Sequence, residues 1–384
     1  MGALSNILIV SIEQAVAAPL CTSRLADAGA RVIKVERAEG DFSRGYDTAA
    51  KGESSYFAWL NQGKESVCLD FKKASDANLL WRIIEKADVL IQNLSPGALQ
   101  RAGFSSIALL ERNPKLIVCN ISGYGNHGDL ASKRAYDLLV QAESGLISVS
   151  GDKDSPGRIG VSICDVGAGV TAYAAVLEAI IKRSQTGVGE ELSVSLFDVS
   201  AEWMTVPYMH AEYGDGAPKP VGLRHPSIAP YGAFECKQDK LVLISIQNER
   251  EWQRLCTDVL YSDTLSNKML YKSNNDRVRN RELLEKEINT ITRQLSANEF
   301  QQRLQSASIA YGSINSAADL NVHPALRKKT ALTSDGQAMS LPAHPVIQEL
   351  LRSDDVKQTP VLGQHTVAIR SEFSAAGKSC LTTH

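Results

Sequence analysis

Short apolar runs alternate with amphipathic stretches along the N-terminal half of the chain. Residues 7–10 form an apolar run that predicts a buried strand, and residues 31–35, which include Val32, Ile33 and Val35, predict the next strand. Between them, Pro19 is typical of a first helical turn and Gly29 is typical of a helix end. The same order returns in a helical stripe at residues 79–84 and in predicted strands at residues 89–91, 116–118 and 192–197.

The repeated strand–helix–strand order predicts an α/β fold, with a large Rossmann-like domain in which helices cover both faces of a parallel sheet. Glycine and proline recur through residues 213–232, as they do in linkers, and mark the entry to a second domain. A strand at 241–246, polar helices at 282–295 and 297–305, and a long loop with a short helix at 262–281 then predict a smaller α+β domain. We therefore predict a large domain over residues 1–205 and 323–384 and a small domain, with its linkers, over residues 206–322.

Charge and cysteine usage argue against several classes of protein. The formal net charge of -2 over 384 residues lacks the basic excess of a nucleic-acid binder. No apolar run approaches the roughly 20 residues that cross a bilayer, and the N terminus lacks the basic and apolar regions of a secretory signal. The cysteines form no CxxC pair and the histidines form no HExxH. We therefore expect reduced thiols, no metal centre, no nucleic-acid or membrane partner, and a cytoplasmic location.

The segment around Asp165 is the most informative local candidate for chemistry. Residues 160–164 are predicted to form an apolar strand that ends at this carboxylate, and Gly167 and Gly169 precede an apolar helix. A carboxylate at such a junction lies near backbone N–H groups and the positive helix end, which keep it ionised. Glycines let a bulky ligand approach the backbone. A helix-capping role explains the same pattern, so the local sequence leaves both interpretations open.

The chain has no glycine-rich phosphate loop, because neither GxGxxG after the first strand nor GxxxxGK[ST] occurs. The turn after the first predicted strand is built mostly from small residues, and a ligand could approach its backbone closely. Basic residues that could hold phosphates are dispersed, and each taken singly is more typical of a solvated surface charge. These residues are Arg37, Lys64, Arg101 and Lys133.

Many short motifs in register span nearly the whole chain. They include Ala18-Pro19, Gly29-Ala30, Gly40-Asp41, Asn61-x-x-Lys64, Pro96-Gly97-Ala98, Ser122-Gly123-Tyr124-Gly125, Tyr136-Asp137, Gln141-Ala142, the Asp165 segment, Asn280-Arg281 and Leu362-Gly363-x-His365. Together these motifs resemble the family III CoA transferases, the group that contains formyl-CoA:oxalate and carnitine CoA transferases. α-Methylacyl-CoA racemase is a relative of that group.

The resemblance implies that Asp165 is the catalytic nucleophile. Its carboxylate would attack a donor thioester to form a mixed anhydride, and the released CoA thiolate would then form an aspartyl-CoA thioester. No permanently bound cofactor is implied, because CoA enters as a thioester substrate. The CoA-binding positions that the resemblance implies are Val16, Ala17, Arg37, Asn61, Lys64, Asn93, Leu94, Ala98, Arg101 and Tyr136.

Two departures from the family pattern bear on substrate and reaction. The oxalate-specific enzymes carry Gln where this chain has Val16, which argues against oxalate. The racemases carry a proton-shuttling histidine where this chain has Tyr136, and a tyrosine that is protonated at neutral pH is a poor base for a carbon acid. An acyl-CoA isomerase or racemase and a non-catalytic acyl-CoA-binding protein are the alternatives to CoA transfer.

The stretch 222–232 resembles the subgroup that handles C4–C5 dicarboxylates such as succinate, malate, mesaconate and itaconate. A second substrate carboxylate suits a fixed cation, and Arg can hold it with two hydrogen bonds. Arg44, Arg224 and His225 are the substrate-binding candidates, although a structural role in the linker explains Arg224 nearly as well. Residues 245–250 lack the glycine run that closes over the site in formyl-type enzymes, so any gating differs here.

The resemblance also implies an assembly. Family members form interlocked homodimers, in which each chain threads through the other and the C-terminal segment completes the first domain. We expect the same homodimer here, with the active site at the subunit interface. Acyl-CoA and free carboxylic acids are the other expected partners.

Overall fold

The computed structural model describes residues 2–152, 154–346 and 356–374. Contacts within the chain divide it into two compact units. The first unit comprises Met1–Ile147, Arg158–Met209 and Arg327–His384, and the second comprises Ser148–Gly157 and His210–Leu326. The segment Ser148–Gly157 therefore belongs to the smaller unit, although the sequence pattern assigns it to the large domain.

The strands of the first unit are mostly apolar on both faces, whereas strands in the second unit alternate between buried and exposed residues. This difference is typical of a sheet covered on both sides and a sheet covered on one side. The strands are β1 (Leu8–Ile12), β2 (Arg31–Glu36), β3 (Glu65–Cys68), β4 (Val89–Gln92), β5 (Ile117–Ser122), β6 (Gly151–Asp152), β7 (Ser155–Pro156), β8 (Glu191–Ser195), β9 (Tyr231–Glu235), β10 (Leu241–Ser245), β11 (Ala310–Ser313), β12 (Lys328–Leu332) and β13 (Ala338–Pro342).

Helices connect these strands, and several begin at a serine whose side chain accepts a hydrogen bond from a first-turn amide, as at Ser105 and Ser195. The helices are α1 (Ala17–Asp27), α2 (Ser55–Leu60), α3 (Ala74–Ile84), α4 (Ala98–Arg101), α5 (Ser106–Arg112), α6 (Asp137–Glu143), α7 (Leu146–Val149), α8 (Ile163–Thr186), α9 (Leu196–Trp203), α10 (Thr205–Tyr213), α11 (Glu249–Arg254), α12 (Asp263–Ser266), α13 (Asn274–Arg279), α14 (Arg281–Thr292), α15 (Ala297–Ser306), α16 (Ala317–Asn321) and α17 (Thr366–Glu372).

The first unit is built on a six-stranded parallel sheet with the order β3-β2-β1-β4-β5-β8. Successive residues of β1 point to opposite faces, so that Ile9 joins one apolar core and Val10 joins the other. Helix α8 packs on α1 in the first core, and Ile369 of α17 packs in the second. The predicted α/β fold with helices on both faces is therefore confirmed.

The second unit has a three-stranded antiparallel sheet with the order β11-β10-β9. One face of this sheet packs on helices through a core that includes Trp252, Tyr271 and Phe300, each at most 1% exposed. Residues 262–281, predicted as a loop with a short helix, contain α12 and α13, and α14 begins at Arg281.

Two predicted strands differ in the structure: one does not form and the other is shorter. A side chain that caps the following helix explains each difference. Residues 160–162 form no strand, because Asp137 accepts hydrogen bonds from the amides of Cys164 and Asp165 and so supports a helix that begins at Ile163. The predicted strand at 192–197 ends at Ser195, whose hydroxyl caps α9 by accepting from the amide of Asp198. Both caps depend on side-chain contacts that apolar periodicity does not record.

Helix α8 is long and apolar enough to cross a membrane by length and composition alone. The sequence-based statement that no apolar run approaches this length was therefore wrong. Cys164, Ala168, Ala172 and Val176 on this helix are buried in the core of the first unit. This face of the helix belongs to the core, whereas Val170 and Ile181 on the same helix are exposed, at 46% and 59%.

Candidate active site

A large cavity in the first unit lies at the point where the order of the parallel strands reverses. The cavity has a volume of about 990 Å³ and is lined by residues 14–17, after β1, and by residues 93–100, after β4. Strands β1 and β4 are neighbours in the sheet, and their following connections diverge to opposite sides. Ligands bind preferentially at such a point in open α/β sheets.

The loop after β1 is held rigidly on the cavity wall. The side chain of Asn93 binds both backbone polar groups of Gln14. It accepts a hydrogen bond from the amide at 2.9 Å and donates one to the carbonyl at 2.8 Å. Asp41 accepts from the amide of Ala15 at 3.1 Å, and Ala15 has a left-handed backbone with a φ of 62°. A non-glycine residue in this conformation needs such support from its surroundings.

A fully buried group of charged side chains lies behind this loop. Lys64 donates to Glu13 at 2.7 Å, and Lys34 donates to Asp41 at 2.8 Å. Burial opposes ionisation of Glu13, yet the nearby charges of Lys64 and Lys34 keep the pKa of Glu13 below its ordinary value. Burial lowers the pKa of Lys64 to about 8. These pairs tie the end of β1 to β2 and to the start of β3.

Asp165 lies in the first turn of α8 and lines the cavity. Its backbone amide is bonded to Asp137, but no described residue donates a hydrogen bond to its side-chain carboxylate. The capping of α8 is thus performed by Asp137, and the capping interpretation of Asp165 does not apply to its side chain. The Asp165 carboxylate is available to a ligand in the cavity.

The electrostatic setting of Asp165 disfavours its charged form. Burial is the main cause and the negative charge of Asp137 is the second, and together they raise the pKa of Asp165 to about 7. A carboxylate with a raised pKa is a stronger nucleophile once ionised than one held by several donors. A titratable group with a perturbed pKa in a cavity is a candidate for catalysis.

Asp137 and Gln141 of α6 fix the segment that leads into Asp165. Asp137 accepts from Cys164 N at 2.8 Å and from Gln141 Nε2 at 2.7 Å. Gln141 in turn accepts from the amide of Ile159 at 2.9 Å. Both side chains are buried, so this frame is shielded from competing water. The sequence motifs contained both residues, but nothing in the sequence assigned them this role.

The glycines after Asp165 serve helix packing. A Cβ on Gly167 would lie 2.2 Å from the Trp203 ring, and a Cβ on Gly169 would lie 2.6 Å from the carbonyl oxygen of Ala17. Both glycines are buried. The interpretation that they leave room for a ligand is therefore wrong at these two positions, because protein atoms occupy that room.

An aromatic wall that the sequence analysis missed faces the same cavity. Tyr46 and Tyr56 line it and contact each other edge to face, with ring centroids 5.4 Å apart. Burial, followed by the charges of Asp41 and Asp165, raises the pKa of Tyr46 to about 12. The phenol of Tyr46 therefore stays protonated at neutral pH and can donate a hydrogen bond. Its position two residues after Arg44, within a motif region, was the only signal in the sequence.

The structure brings seven of the predicted site residues together on the cavity wall. They are Val16, Ala17, Asn93, Leu94, Ala98, Tyr136 and Asp165.

The other predicted CoA contacts do not line this cavity in the described structure. Lys64 is fully buried against Glu13, and Asn61 is buried and donates to the carbonyl of Phe57 at 3.1 Å. Arg37 and Arg101 are largely exposed and donate to nearby backbone carbonyls. The roles of these four residues towards CoA stay predictions.

The predicted substrate residues have protein partners. Arg44 donates to both oxygens of Glu36, at 2.9 and 2.8 Å, and its guanidinium lies 3.7 Å from the centre of the Phe57 ring. In the second unit, Arg224 pairs with Glu285 at 2.7 Å and the His225 ring stacks on Tyr231. These contacts favour structural roles, and substrate binding by the three residues stays a prediction.

The described cysteines and the described metal-binding side chains bear on the expectation of reduced thiols and no metal centre. The cysteines described are free thiols, and most of them are buried, whereas Cys380 lies outside the described residues. In the described chain, no group of three or more His, Cys, Asp or Glu side chains is placed to hold a metal ion.

Comparisons with known proteins agree along almost the full length of the chain. The sequence profile described as CoA-transferase family III matches residues 4–366. An acetyl-CoA:oxalate CoA-transferase of Acetobacter aceti is 32% identical, covering 97% of this chain and 96% of the relative. A succinate–glutarate CoA-transferase of Agrobacterium fabrum is 28% identical, covering 96% of this chain and 95% of the relative. A crystal structure of a CAIB/BAIF family protein from Brucella suis superposes with a TM-score of 0.83 at 29% identity, covering 97% of this chain and all of that one.

Proposed function

The chain belongs to CoA-transferase family III, and on that premise we propose that it transfers CoA between an acyl-CoA and a free carboxylic acid through Asp165. The observation that carries the proposal is the Asp165 carboxylate itself. It faces a large cavity, has no described hydrogen-bond donor on its side chain, and has a pKa raised to about 7. Each property suits a nucleophile that must form a covalent bond.

In the first half of the proposed reaction, an oxygen of Asp165 attacks the carbonyl carbon of the donor thioester. The C–S bond breaks, CoA leaves as a thiolate, and a mixed anhydride joins Asp165 to the donor acyl group. The thiolate then attacks the carboxyl carbon of Asp165 and expels the donor acid as a carboxylate. The product is an aspartyl-CoA thioester.

The second half reverses these steps with a new acid. The acceptor carboxylate attacks the aspartyl thioester, which releases CoA thiolate and forms a second anhydride. The thiolate attacks the acceptor carbonyl of that anhydride, and the Asp165 carboxylate leaves. No net proton is gained or lost, so the reaction needs no external acid, base or oxidant.

Residues around Asp165 support this chemistry. Each attack on a carbonyl creates a negative oxygen, and a protonated Tyr46 phenol on the same wall can donate to it. The backbone of Gln14 and Ala15, which Asn93 and Asp41 hold in place, forms a rigid surface on which the acyl group can lie. Val16, Ala17, Asn93, Leu94 and Ala98 are proposed CoA contacts on this wall.

The names of relatives support dicarboxylates as substrates. Relatives are named for succinate and glutarate in Agrobacterium fabrum and for succinyl-CoA and mesaconate in Haloarcula hispanica. These acids have four or five carbons and carry a second carboxylate. The relative from Acetobacter aceti is named for oxalate, so oxalate belongs in the assay despite Val16.

The alternative reaction is isomerisation or racemisation at the carbon next to the thioester. It needs a base that removes a carbon-bound proton, and the racemase histidine position holds Tyr136 here. The Asp165 setting supports transfer better, because a carboxylate with no donor partner is free to form a covalent bond. Deuterium placed on the carbon next to the thioester separates the two reactions. CoA transfer retains this deuterium, whereas isomerisation or racemisation exchanges it with solvent.

One assay tests the proposed function directly. The purified protein is incubated with succinyl-CoA and a panel of acids that includes glutarate, mesaconate, malate, oxalate and butyrate. We expect a new acyl-CoA that depends on both the acid and the protein. Absence of every product, with racemisation of a 2-methylacyl-CoA under the same conditions, would assign the isomerase reaction instead.

We also propose the homodimer that the family resemblance implies. Large apolar side chains stay exposed on the single chain, including Tyr136, Val206 and Tyr208, at 64%, 64% and 59%. Burial of such side chains in an interface is favourable. Light scattering of the full chain tests this: a monomer mass at micromolar concentration would contradict it.

A further inference from the structure

The cavity wall contains cationic side chains with different surroundings. Lys133, Arg134 and Arg158 are the cations among its described lining residues. Lys133 is paired with Glu143 at 2.5 Å and lies over the Tyr124 ring. In the described part of the chain, neither Arg134 nor Arg158 lies within ion-pair distance of a carboxylate. These two guanidinium groups are therefore the ones available to an anionic ligand.

Arg158 is anchored to the same frame that positions Asp165. The amide of its neighbour Ile159 donates to Gln141 at 2.9 Å, and Gln141 returns a hydrogen bond to the Ile159 carbonyl at 3.3 Å. Gln141 also donates to Asp137, the residue that caps the helix of Asp165. A short series of hydrogen bonds thus links the backbone next to Arg158 to the backbone of Asp165.

Arg134 lacks this anchoring. The residue before Arg134, Lys133, donates through its amide to the carbonyl of Leu130 at 2.9 Å, which is a local turn contact. Within the residues that the structure describes, no hydrogen bond links Arg134 or its two neighbours to Gln141 or Asp137. A cation on a fixed backbone loses less freedom when it binds a ligand, and its distance from a second fixed group selects ligand length. Arg158 is therefore better suited than Arg134 to select substrates by the distance between their reacting carboxylate, at Asp165, and their distal carboxylate.

The raised pKa of Asp165 indicates that Arg158 does not form an ion pair with it, which leaves Arg158 able to bind a ligand. The pKa of Asp165 is raised by burial and by Asp137, and both causes disfavour its charged form. A guanidinium in direct contact would act in the opposite direction. Arg158 therefore does not neutralise Asp165, although both side chains line one cavity.

We propose that Arg158 is the specificity-determining cation, holding the distal carboxylate of a dicarboxylate while the other carboxylate reacts at Asp165. This assignment rests on the proposed CoA transfer. It gives the role to Arg158 in place of Arg44 and Arg224, whose guanidinium groups are bound by Glu36 and Glu285. Arg suits the role because its planar donors can bind both oxygens of a carboxylate.

The test compares acceptors that differ only in the distal charge. Initial rates of CoA transfer are measured from one donor to glutarate and to valerate, and to succinate and butyrate. The variants are Arg158→Ala, Arg158→Lys, Arg134→Ala and Arg224→Ala. We expect Arg158→Ala to lower kcat/KM for the dicarboxylates about 10- to 100-fold, with valerate and butyrate changed less than threefold. Arg158→Lys should recover part of the loss, because it keeps the charge.

The outcomes separate the inference from the function. Equal losses for dicarboxylates and monocarboxylates would assign Arg158 to the fold or to CoA binding, and CoA transfer would stand. A selective loss in Arg134→Ala or Arg224→Ala, but not in Arg158→Ala, would move the role to that residue. A parent protein that transfers CoA only to monocarboxylates would also overturn the inference. A parent protein without any transfer would contradict the proposed function itself.

Discussion

The side-chain carboxylate of Asp137 accepts a hydrogen bond from the backbone amide of Asp165, with 3.3 Å between Oδ1 and N. Two acidic residues that are 28 positions apart thus share one helix terminus. Asp137 occupies the amides at this terminus and leaves the side chain of Asp165 free. Its negative charge also raises the pKa of Asp165, as the second cause after burial.

This relationship predicts the effect of removing the Asp137 charge. Asp137→Asn keeps an oxygen that can accept from the amides of Cys164 and Asp165, but it removes the repulsion that disfavours ionised Asp165. We expect the acid limb of the pH profile of kcat/KM to move to lower pH. Initial rates across pH 5–9 in the variant and the parent measure this, and an unchanged or upward-shifted limb would contradict it. Thermal unfolding of the variant controls for loss of structure.

The parent protein should itself show an ionisation near pH 7. Asp165 must be charged to attack, and its pKa is raised to about 7, so the reactive fraction falls as pH drops. Below the pKa, kcat/KM should fall about tenfold per pH unit, and above it the rate should level off. Rates that stay constant down to pH 5 would show that Asp165 is ionised there and that burial does not control it.

Replacement of Asp165 should abolish transfer without unfolding the protein. We expect Asp165→Ala and Asp165→Asn to lose more than 1000-fold in kcat/KM, since neither side chain can form the anhydride. Asp198→Asn is the matched control, because Asp198 also lies in the first turn of a helix but does not line the cavity. Activity of either Asp165 variant within about tenfold of the parent would reject the nucleophile assignment.

The raised pKa of Asp165 also predicts how the Asp165→Asn substitution changes the stability of the protein with pH. The folded-state pKa of Asp165 lies above its ordinary value of 3.8, so the folded protein binds this proton more tightly than the unfolded chain. The parent therefore loses stability as pH rises from about 4 to about 7, and the variant lacks this loss. The melting temperature of the variant, relative to the parent, should be higher at pH 8 than at pH 5.

The covalent intermediate should be trapped on Asp165. Incubation with acyl-CoA in the absence of an acceptor accumulates the anhydride or the aspartyl thioester, both of which are activated carboxyl groups. Hydroxylamine added at that point should convert Asp165 to a hydroxamate, which peptide mass spectrometry locates. No adduct should form without acyl-CoA, because a resting carboxylate is inert. An adduct-free protein under conditions of turnover would argue for direct transfer between substrates.

Packing at Gly167 should be intolerant of a single methyl group. A Cβ there meets the Trp203 ring at 2.2 Å, so Gly167→Ala forces a shift and should destabilise the protein by roughly 1–3 kcal/mol. Gly160→Ala is the matched control, because no atom lies within 4 Å of a Cβ at that position. Denaturant unfolding of the two variants measures the difference. Equal stability of both would show that Trp203 moves freely.

The sequence by itself determined the fold class and the family. Apolar runs such as residues 7–10 indicate burial on both faces of a strand, and glycine and proline mark chain reversals, so the α/β order follows from local sequence. The motifs in register added the family, and with it the choice of Asp165 from among many acidic residues. Local pattern is sufficient for the fold class, because each predicted strand or helix depends on residues that are neighbours in the chain, whereas the family follows from the order of the motifs along the whole chain.

The tertiary structure decided which charged side chains are free. Lys64, Arg44 and Arg224 resemble one another in sequence as isolated cations, yet Glu13, Glu36 and Glu285 bind them. The same physics places Asp137 on the amide of Asp165. An ion pair depends on the position and reach of two side chains that are separated along the chain, and periodicity carries no record of either. Only the folded chain therefore distinguishes a cation held by protein from a cation left for a ligand, because that distinction is made by distance in space.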